Sequence, residues 1–302
     1  MDSPAGKLRP VSVVRELPAR SVDRRAALIA WAAMLLGSIL PRVVWTVFAH
    51  EDAPPLVLVA QLVVLFGLSR LTAARSVHGY VVLLIGMVAG DDAYQLLRST
   101  AAWQGWWAQL SEHERLFVDP FFELLPSAGV ALTLVGSRLT RADLSLTVGD
   151  LSRRLRIGPL ALTWWVATPI VALLLAGPLL AQLSFTVGPD PSAVPRVVPL
   201  VPAALLFSTL NAFLEEFRFR AAPLARLVPA VGASQALLVT SILFGIGHYY
   251  GHPSGLSGIV LASFGGWLLG LSMLGTRGIA APWLIHGLQD LLIFAAVVKA
   301  ET

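Results

Sequence analysis

The last third of the chain places ionisable side chains inside apolar stretches, where they are costly and therefore indicate function. Glu215 and Glu216 are adjacent in one stretch, His248 ends the next, and His286 and Asp290 lie in the last. Carboxylates and imidazoles together can activate a water molecule for hydrolysis or bind a metal ion. We therefore interpret this set as a candidate hydrolytic site.

Helical spacing predicts how these side chains face one another. Residues four apart share a helical face, so Glu216 can pair with Arg220, and His286 with Asp290. Glu215 points in another direction and has no obvious partner on its own helix. With a rise of about 1.5 Å per residue, the acids and histidines all fall at membrane depth, in a band that one water molecule or ion could bridge.

The elements that must position these residues are membrane helices. Hydrophobic residues make up 56% of the 302 positions and charged residues 13%, against about 25% charged in soluble domains. The absence of cysteine excludes disulfides, thiolate zinc sites and a cysteine nucleophile. The excess of 22 Lys and Arg over 18 Asp and Glu does not indicate nucleic-acid binding, because the basic residues lie between apolar blocks, as loop charges do.

The hydropathy pattern predicts an all-α, multi-pass transmembrane bundle. A spanning helix needs about 20 apolar residues, and the second and seventh candidate spans are short, so we expect about eight or nine transmembrane helices. The segment Ala101–Glu114 contains three tryptophans and is predicted to lie at the interface. The candidate spans are Ala26–Ala49, Pro54–Ser69, Gly79–Leu97, Leu116–Gly136, Pro159–Leu183, Leu200–Arg220, Gly232–Tyr249, Leu256–Gly275 and Ile279–Val298.

Three regions follow from this pattern. Residues 1–25 form a basic tail that is too long and polar for a signal peptide. Residues 26–157 hold the N-terminal helices and a polar, amphipathic linker, Thr140–Ile157. Residues 158–302 form a C-terminal membrane core, with the chemistry at about 200–298. Lys and Arg are concentrated on the side of the N-terminus, counting Arg218 among the loop charges, which predicts a cell-membrane protein with a cytoplasmic N-terminus.

Other ionisable residues in or near apolar stretches have a structural interpretation. We expect Arg42, Asp119 and Glu123 to lie near membrane interfaces or to pair with each other. Asp91 and Asp92 are expected in an outer loop. None of the five is predicted to take part in the chemistry.

Three motifs in the last third resemble those of one protein family. They are Glu215-Glu216-x-x-x-Arg220, Phe244-x-x-x-His248 and His286-x-x-x-Asp290, in this order on successive helices. This order is similar to that of the CPBP family, the CAAX prenyl proteases and bacteriocin-processing enzymes also called Abi proteins. The similarity covers about residues 200–298, and the N-terminal half shows no comparable motif.

The resemblance implies an intramembrane endopeptidase that depends on glutamate. By this analogy Glu215 is the general base and His248 helps to hold and polarise the attacking water. His286 and Asp290 stabilise the oxyanion. By the same analogy, Glu216, Arg220 and Phe244 support the site.

Asp290 leaves the question of a metal open. An ionised aspartate cannot donate a hydrogen bond to an oxyanion, so it could instead be protonated, orient His286, or bind a metal. Glu215, His248, His286 and Asp290 would make a plausible Zn²⁺ set. A metal-free mechanism and a divalent metal ion both remain compatible with these residues.

The sequence thus predicts proteolysis of a membrane-associated peptide, either of the prenylated CAAX type or an unprenylated bacteriocin or leader peptide. Its partners are the lipid bilayer and this substrate. The composition, rich in Arg and Ala and poor in Lys, favours a bacterial source. Two alternatives stay open: an ion- or proton-coupled transporter, because membrane acids and histidines also form proton relays, and a non-catalytic scaffold or immunity protein.

Overall fold

The structure, a computed structural model, describes residues 23–51, 53–157, 159–187, 194–251 and 254–300. Helices make up nearly all of it, and one two-stranded hairpin is the only sheet in these ranges. The predicted all-α membrane bundle is thereby confirmed. The predicted basic tail lies outside the described residues up to position 22.

The N-terminal part consists of seven helices within the described ranges. Helix α6 begins with a capping box in which Ser111 and Glu114 satisfy each other's backbone N–H groups. The helices are α1 Arg24–Gly37, α2 Leu40–Ala49, α3 Pro55–Arg70, α4 His78–Arg98, α5 Ala101–Trp107, α6 Glu112–Phe122 and α7 Leu124–Leu134.

The C-terminal part begins with the hairpin and continues with helices. A π-helical turn, Phe217–Ala221, joins α10 to α11, so that one helical segment runs over Val198–Val231. The elements are β1 Arg154–Ile157, β2 Leu160–Thr163, α8 Trp164–Val187, α9 Val194–Val197, α10 Val201–Glu216, α11 Ala222–Val231, α12 Ala233–Gly247, α13 Gly255–Thr276 and α14 Ala280–Ala300.

The predicted number of spans is not confirmed. Among the described residues, six helices are long and apolar enough to cross a membrane, and a seventh arises if the bent pair α1 and α2 forms one span. That pair bends by 53° near Pro41, which cannot donate an intrahelical hydrogen bond. The predicted second and seventh spans form helices of 16 and 15 residues, and the predicted count of eight or nine is not confirmed.

The linker between the two parts forms turns and a strand. In β1, Arg154 and Arg156 are exposed, whereas Leu155 between them is buried, so the amphipathic pattern has the two-residue period of a strand. The linker is attached to the corner between α13 and α14. There the Asp150 N–H donates to the Thr276 carbonyl at 2.8 Å.

One buried core joins the N-terminal and C-terminal parts. Ala30 of α1 and Leu84 of α4 are fully buried in the same cluster as Leu227 of α11 and Leu243 of α12. The helices that carry the predicted motifs are therefore packed directly against the N-terminal helices.

Helices α4 and α7 approach so closely that their contact requires glycine. A Cβ atom built on Gly86 would overlap the backbone of Gly129 and the side chain of Thr133. One turn further on, Gly90 lies against the backbone of Leu125 and Pro126. Small residues at this spacing allow membrane helices to pack backbone against backbone.

We expect Gly86→Ala to destabilise the protein by about 1–3 kcal/mol, the usual cost of overpacking. The matched control is Gly67→Ala on α3, because nothing lies within 4 Å of a Cβ at Gly67. There the change replaces the poorer helix former with the better one. Thermal unfolding of both variants in detergent measures the difference, and equal shifts would contradict the close contact.

Candidate active site

Helix α10 ends with the two adjacent glutamates, which have different surroundings. The Glu216 side chain is fully buried, whereas that of Glu215 is 17% exposed. Arg220, also fully buried, donates from Nη1 to Glu216 Oε1 at 2.9 Å, which is the pair that the four-residue spacing predicts. The π-helical turn begins directly after Glu216, and such turns are frequent at functional sites.

His286 of α14 connects the two glutamates. Its Nδ1 lies 2.8 Å from Glu216 Oε1, and because a carboxylate only accepts, we assign the proton to Nδ1. Its Nε2 lies 3.4 Å from Glu215 Oε2 and 3.7 Å from Asp290 Oδ1. If Nε2 carried a lone pair, that lone pair would face two carboxylate oxygen atoms and be repelled by them. The space between Nε2 and these oxygens therefore favours a proton on Nε2 or another cation.

Phe244 lies beside three basic side chains of the site. The Arg220 guanidinium carbon lies 3.7 Å from the centre of the Phe244 ring, a cation–π contact. The same ring lies 4.4 Å from the His248 ring and 5.7 Å from the His286 ring. Gly266 of α13 makes room for this stack, since a Cβ there would lie 3.1 Å from both Arg220 and Phe244.

His248 directly follows α12, and its tautomer is set by the backbone. Its Nδ1 lies 3.1 Å from the carbonyl oxygen of Phe244, so Nδ1–H donates to that oxygen and Nε2 carries the lone pair. His248 can therefore accept a hydrogen bond from a water molecule or bind a metal through Nε2.

A cavity of about 260 Å³ brings the predicted residues together. Its polar wall contains Glu215, His248, His286 and Asp290, and its apolar wall comes largely from α8 and α13. A water molecule occupies about 30 Å³, so there is room for a water and part of a substrate. Glu215, exposed to this space, is the carboxylate that can reach a substrate, whereas Glu216 is a buried support.

Sequence reasoning missed three polar residues in the cavity wall, which are Asn211, Asp119 and Gln289. Asn211 Nδ2 donates to Asp290 Oδ2 at 3.2 Å, and Asn211 precedes Glu215 by one helical turn, a spacing that could have revealed it. Asp119 of α6 also lines the cavity, although it was predicted to be structural. Its position in an apolar stretch was the available signal.

The structure corrects the expected partners of the other charges. Asp91 and Asp92 lie within α4 and not in a loop. Arg42 pairs with Asp91 and Glu123 pairs with Arg218. Of the two predicted alternatives, the one in which Arg42, Asp119 and Glu123 pair with each other is therefore wrong.

The packing of the helices explains the partners of Asp119 and Arg218. Asp119 accepts a hydrogen bond from the Tyr94 hydroxyl of α4. Arg218, counted from the sequence as a loop charge, is buried beside the site, because the helix continues through it to Val231. Buried charges in an apolar bundle take the nearest partner on a neighbouring helix, which local spacing does not reveal.

Glu215, His248, His286 and Asp290 are the residues predicted as a possible Zn²⁺ set. In the part of the chain that the structure describes, no group of three or more His, Asp and Glu side chains is arranged to hold a metal ion. His286 uses Nδ1 for Glu216, and its Nε2 lies 3.4 Å from Glu215 Oε2 and 3.7 Å from Asp290 Oδ1. A metal ion held by Glu215, His248, His286 and Asp290 stays a prediction.

The fold and this cavity define a multi-pass helical membrane protein with a buried acid and histidine site. Residues 197–292 match the family described as type II CAAX prenyl endopeptidase Rce1-like. The match contains every predicted motif residue and confirms the resemblance to the CAAX protease family in this part of the chain. It implies a protease. No curated protein and no solved structure matches the chain.

Proposed function

We propose that the protein is an intramembrane endopeptidase that cleaves a membrane-associated peptide with a water molecule activated by Glu215 and His248. The observation that carries the proposal is the placing of Glu215: its carboxylate is exposed to a cavity that His248 and His286 also line. The match to the CAAX protease family supports the same reaction. The N-terminus is taken to be cytoplasmic and the source bacterial.

The chemistry assigns one task to each polar group. Glu215 accepts a proton from water while His248 Nε2 accepts the second hydrogen bond, and the water oxygen attacks the peptide carbonyl carbon. The carbonyl oxygen becomes an oxyanion beside His286 Nε2–H. The C–N bond then breaks as Glu215 returns its proton to the amine nitrogen, which yields a new carboxyl group and a free amine.

Asn211 resolves the difficulty raised by Asp290, which cannot donate when ionised. The Asn211 amide has two N–H groups, and one of them is directed to Asp290. The other is available to the cavity, where a neutral donor would stabilise the oxyanion. Asp290 is assigned the role of holding Asn211 and His286 in place.

The substrate is assigned to the class of peptides held at the membrane. The apolar wall, with Leu175 and Leu179 of α8 and Leu261 and Leu269 of α13, suits an apolar peptide segment or a lipid anchor. Both a prenylated CAAX peptide and an unprenylated leader peptide belong to this class. The two are separated by comparing one peptide sequence with and without its prenyl group.

The purified protein in lipid nanodiscs is expected to cleave such a peptide, and His248→Gln to reduce kcat by about 10²- to 10⁴-fold, as expected for loss of an acid–base partner. His78→Gln is the control, because His78 is exposed at the start of α4. Peptide fragments are measured by mass spectrometry. Equal rates for the two variants would contradict the role of His248.

The same sample tests the metal hypothesis and the two rival functions. A metal-free reaction survives a chelator, whereas activity that is lost and then restored by Zn²⁺ would favour a metalloprotease. Solute uptake by vesicles that persists in Glu215→Gln would favour a transporter. Unchanged biological activity of Glu215→Ala would favour a scaffold.

A further inference from the structure

Helix α6 contributes side chains to the candidate active site although it lies outside the segment 197–292 that matches the protease family. Asp119 of α6 lines the same cavity as Glu215. One turn further on, Glu123 caps the end of α6 where α7 begins. Because residues four apart share a helical face, the carboxylates of Asp119 and Glu123 are both directed toward α10, the helix that carries Glu215.

Glu123 forms an ion pair with Arg218 of the π-helical turn. The Arg218 side chain is 8% exposed and that of Glu123 is 19% exposed, and Arg218 also lies over the Phe219 ring at 4.7 Å. Removal of one member of such a buried pair leaves an uncompensated charge. The pair therefore fixes the position of Arg218 with respect to α6.

Arg218 is also the near neighbour of the proposed base. It follows Glu215 by three residues at the start of the π-helical turn, and the charges of the two side chains interact electrostatically. On its other side, Glu215 lies 3.4 Å from His286 Nε2. The Glu215 carboxylate thus interacts with a histidine of α14 and with the charge of an arginine that α6 holds.

We infer that Glu123 is a positioning residue for peptide hydrolysis: through Arg218 it holds the Glu215 carboxylate in its place in the cavity. This inference rests on the proposed function. It gives the N-terminal helices a part in the chemistry, because the element that fixes the base comes from them and not from the three motifs.

A second ion pair in the same part of the molecule provides a matched control. Arg42 pairs with Asp91, and this pair lines a small cavity of about 140 Å³ together with Glu123 and Arg218. Both pairs join neighbouring helices and are largely buried. Neither Arg42 nor Asp91 lies on the helix that carries Glu215, so isosteric changes in the two pairs separate positioning from general stability.

We expect Glu123→Gln to lower kcat by about 100-fold, the loss that follows when a catalytic group moves by about 1 Å. KM should change by less than about twofold, because the apolar wall that binds the substrate is untouched. Asp91→Asn should leave kcat within about twofold of the wild type. Initial rates at varied concentrations of a membrane peptide give both constants.

A double-mutant cycle tests whether the pair acts as a unit. Arg218→Gln should lower kcat, and adding Glu123→Gln to it should cause no further loss, since the two effects are not additive for a coupled pair. Losses that multiply in the double variant would overturn the inference. Equal kcat values for Glu123→Gln and Asp91→Asn would do the same.

An experimental structure of Glu123→Gln supplies a measurement that does not depend on a substrate. The inference expects the distance from Glu215 Oε2 to His286 Nε2 to depart from the wild-type 3.4 Å, and an unchanged distance would overturn it. Failure of the wild type to cleave any membrane peptide would instead count against the proposed function. The failures of the two proposals can therefore be distinguished.

Discussion

Glu215→Gln is expected to reduce kcat by about 10²- to 10⁴-fold, the range that a positioned general base contributes, while the protein stays folded. The amide has the shape of the carboxylate but cannot accept the proton of the attacking water. Because the Glu215 side chain is 17% exposed to the cavity, its replacement leaves no deeply buried charge without a partner. Peptide cleavage and thermal unfolding in nanodiscs measure the two effects separately.

The comparison with Glu216→Gln makes this prediction specific. Glu216 is fully buried and accepts from Arg220 and His286, so its neutral replacement should lower the unfolding temperature as well as the activity. Glu112→Gln, on the exposed start of α6, should change neither. Normal cleavage by Glu215→Gln would refute its role as the base, even if the protein proves to be a protease.

Arg220→Met is expected to destabilise the folded protein by about 3–5 kcal/mol, the cost of breaking a buried ion pair by removing one partner. The Glu216 carboxylate would keep only His286 as a donor at Oε1, and its Oε2 atom already has no hydrogen-bond partner within the described residues. The cation–π contact with Phe244 is lost as well. Denaturant unfolding in detergent measures this difference.

A double variant and an exposed pair control this second prediction. Glu216→Gln combined with Arg220→Met removes both charges and should recover part of the stability, because the uncompensated carboxylate is gone. Arg115→Met breaks an exposed pair with Glu112 and should cost about 0–1 kcal/mol. If Arg220→Met costs no more than Arg115→Met, Arg220 does not support the site.

Local spacing was sufficient to predict contacts within one helix. Glu216 and Arg220 lie four residues apart and form their ion pair, and His286 and Asp290 approach to 3.7 Å on one face of α14. Contacts between helices could not be predicted in the same way. The link from His286 to Glu216 and the pair of Arg218 with Glu123 join residues 70 and 95 positions apart, and no periodicity carries that information.

The predicted number of spans is not confirmed for a related reason. Hydropathy measures how much apolar chain is available, but not where a helix bends or stops. The stretch Ala26–Ala49 looks like one span, yet it bends by 53° between α1 and α2. The stretch after Gly232 forms a helix of only 15 residues, about 22 Å at 1.5 Å per residue, which is shorter than the hydrocarbon core of about 30 Å.

The sequence by itself determined the class of protein and pointed to Glu215, His248 and His286 as candidate site residues. Apolar blocks of this length require a membrane, and Glu215, His248 and His286 within them indicate a functional site because ionised groups in an apolar solvent are costly without a purpose. Only the tertiary structure decided that Glu215 faces the cavity while Glu216 is buried, and that α6 packs against α10, which carries Glu215. Those outcomes depend on which helices touch, and packing between helices is set by shape and by buried charge pairs that one-dimensional spacing does not encode.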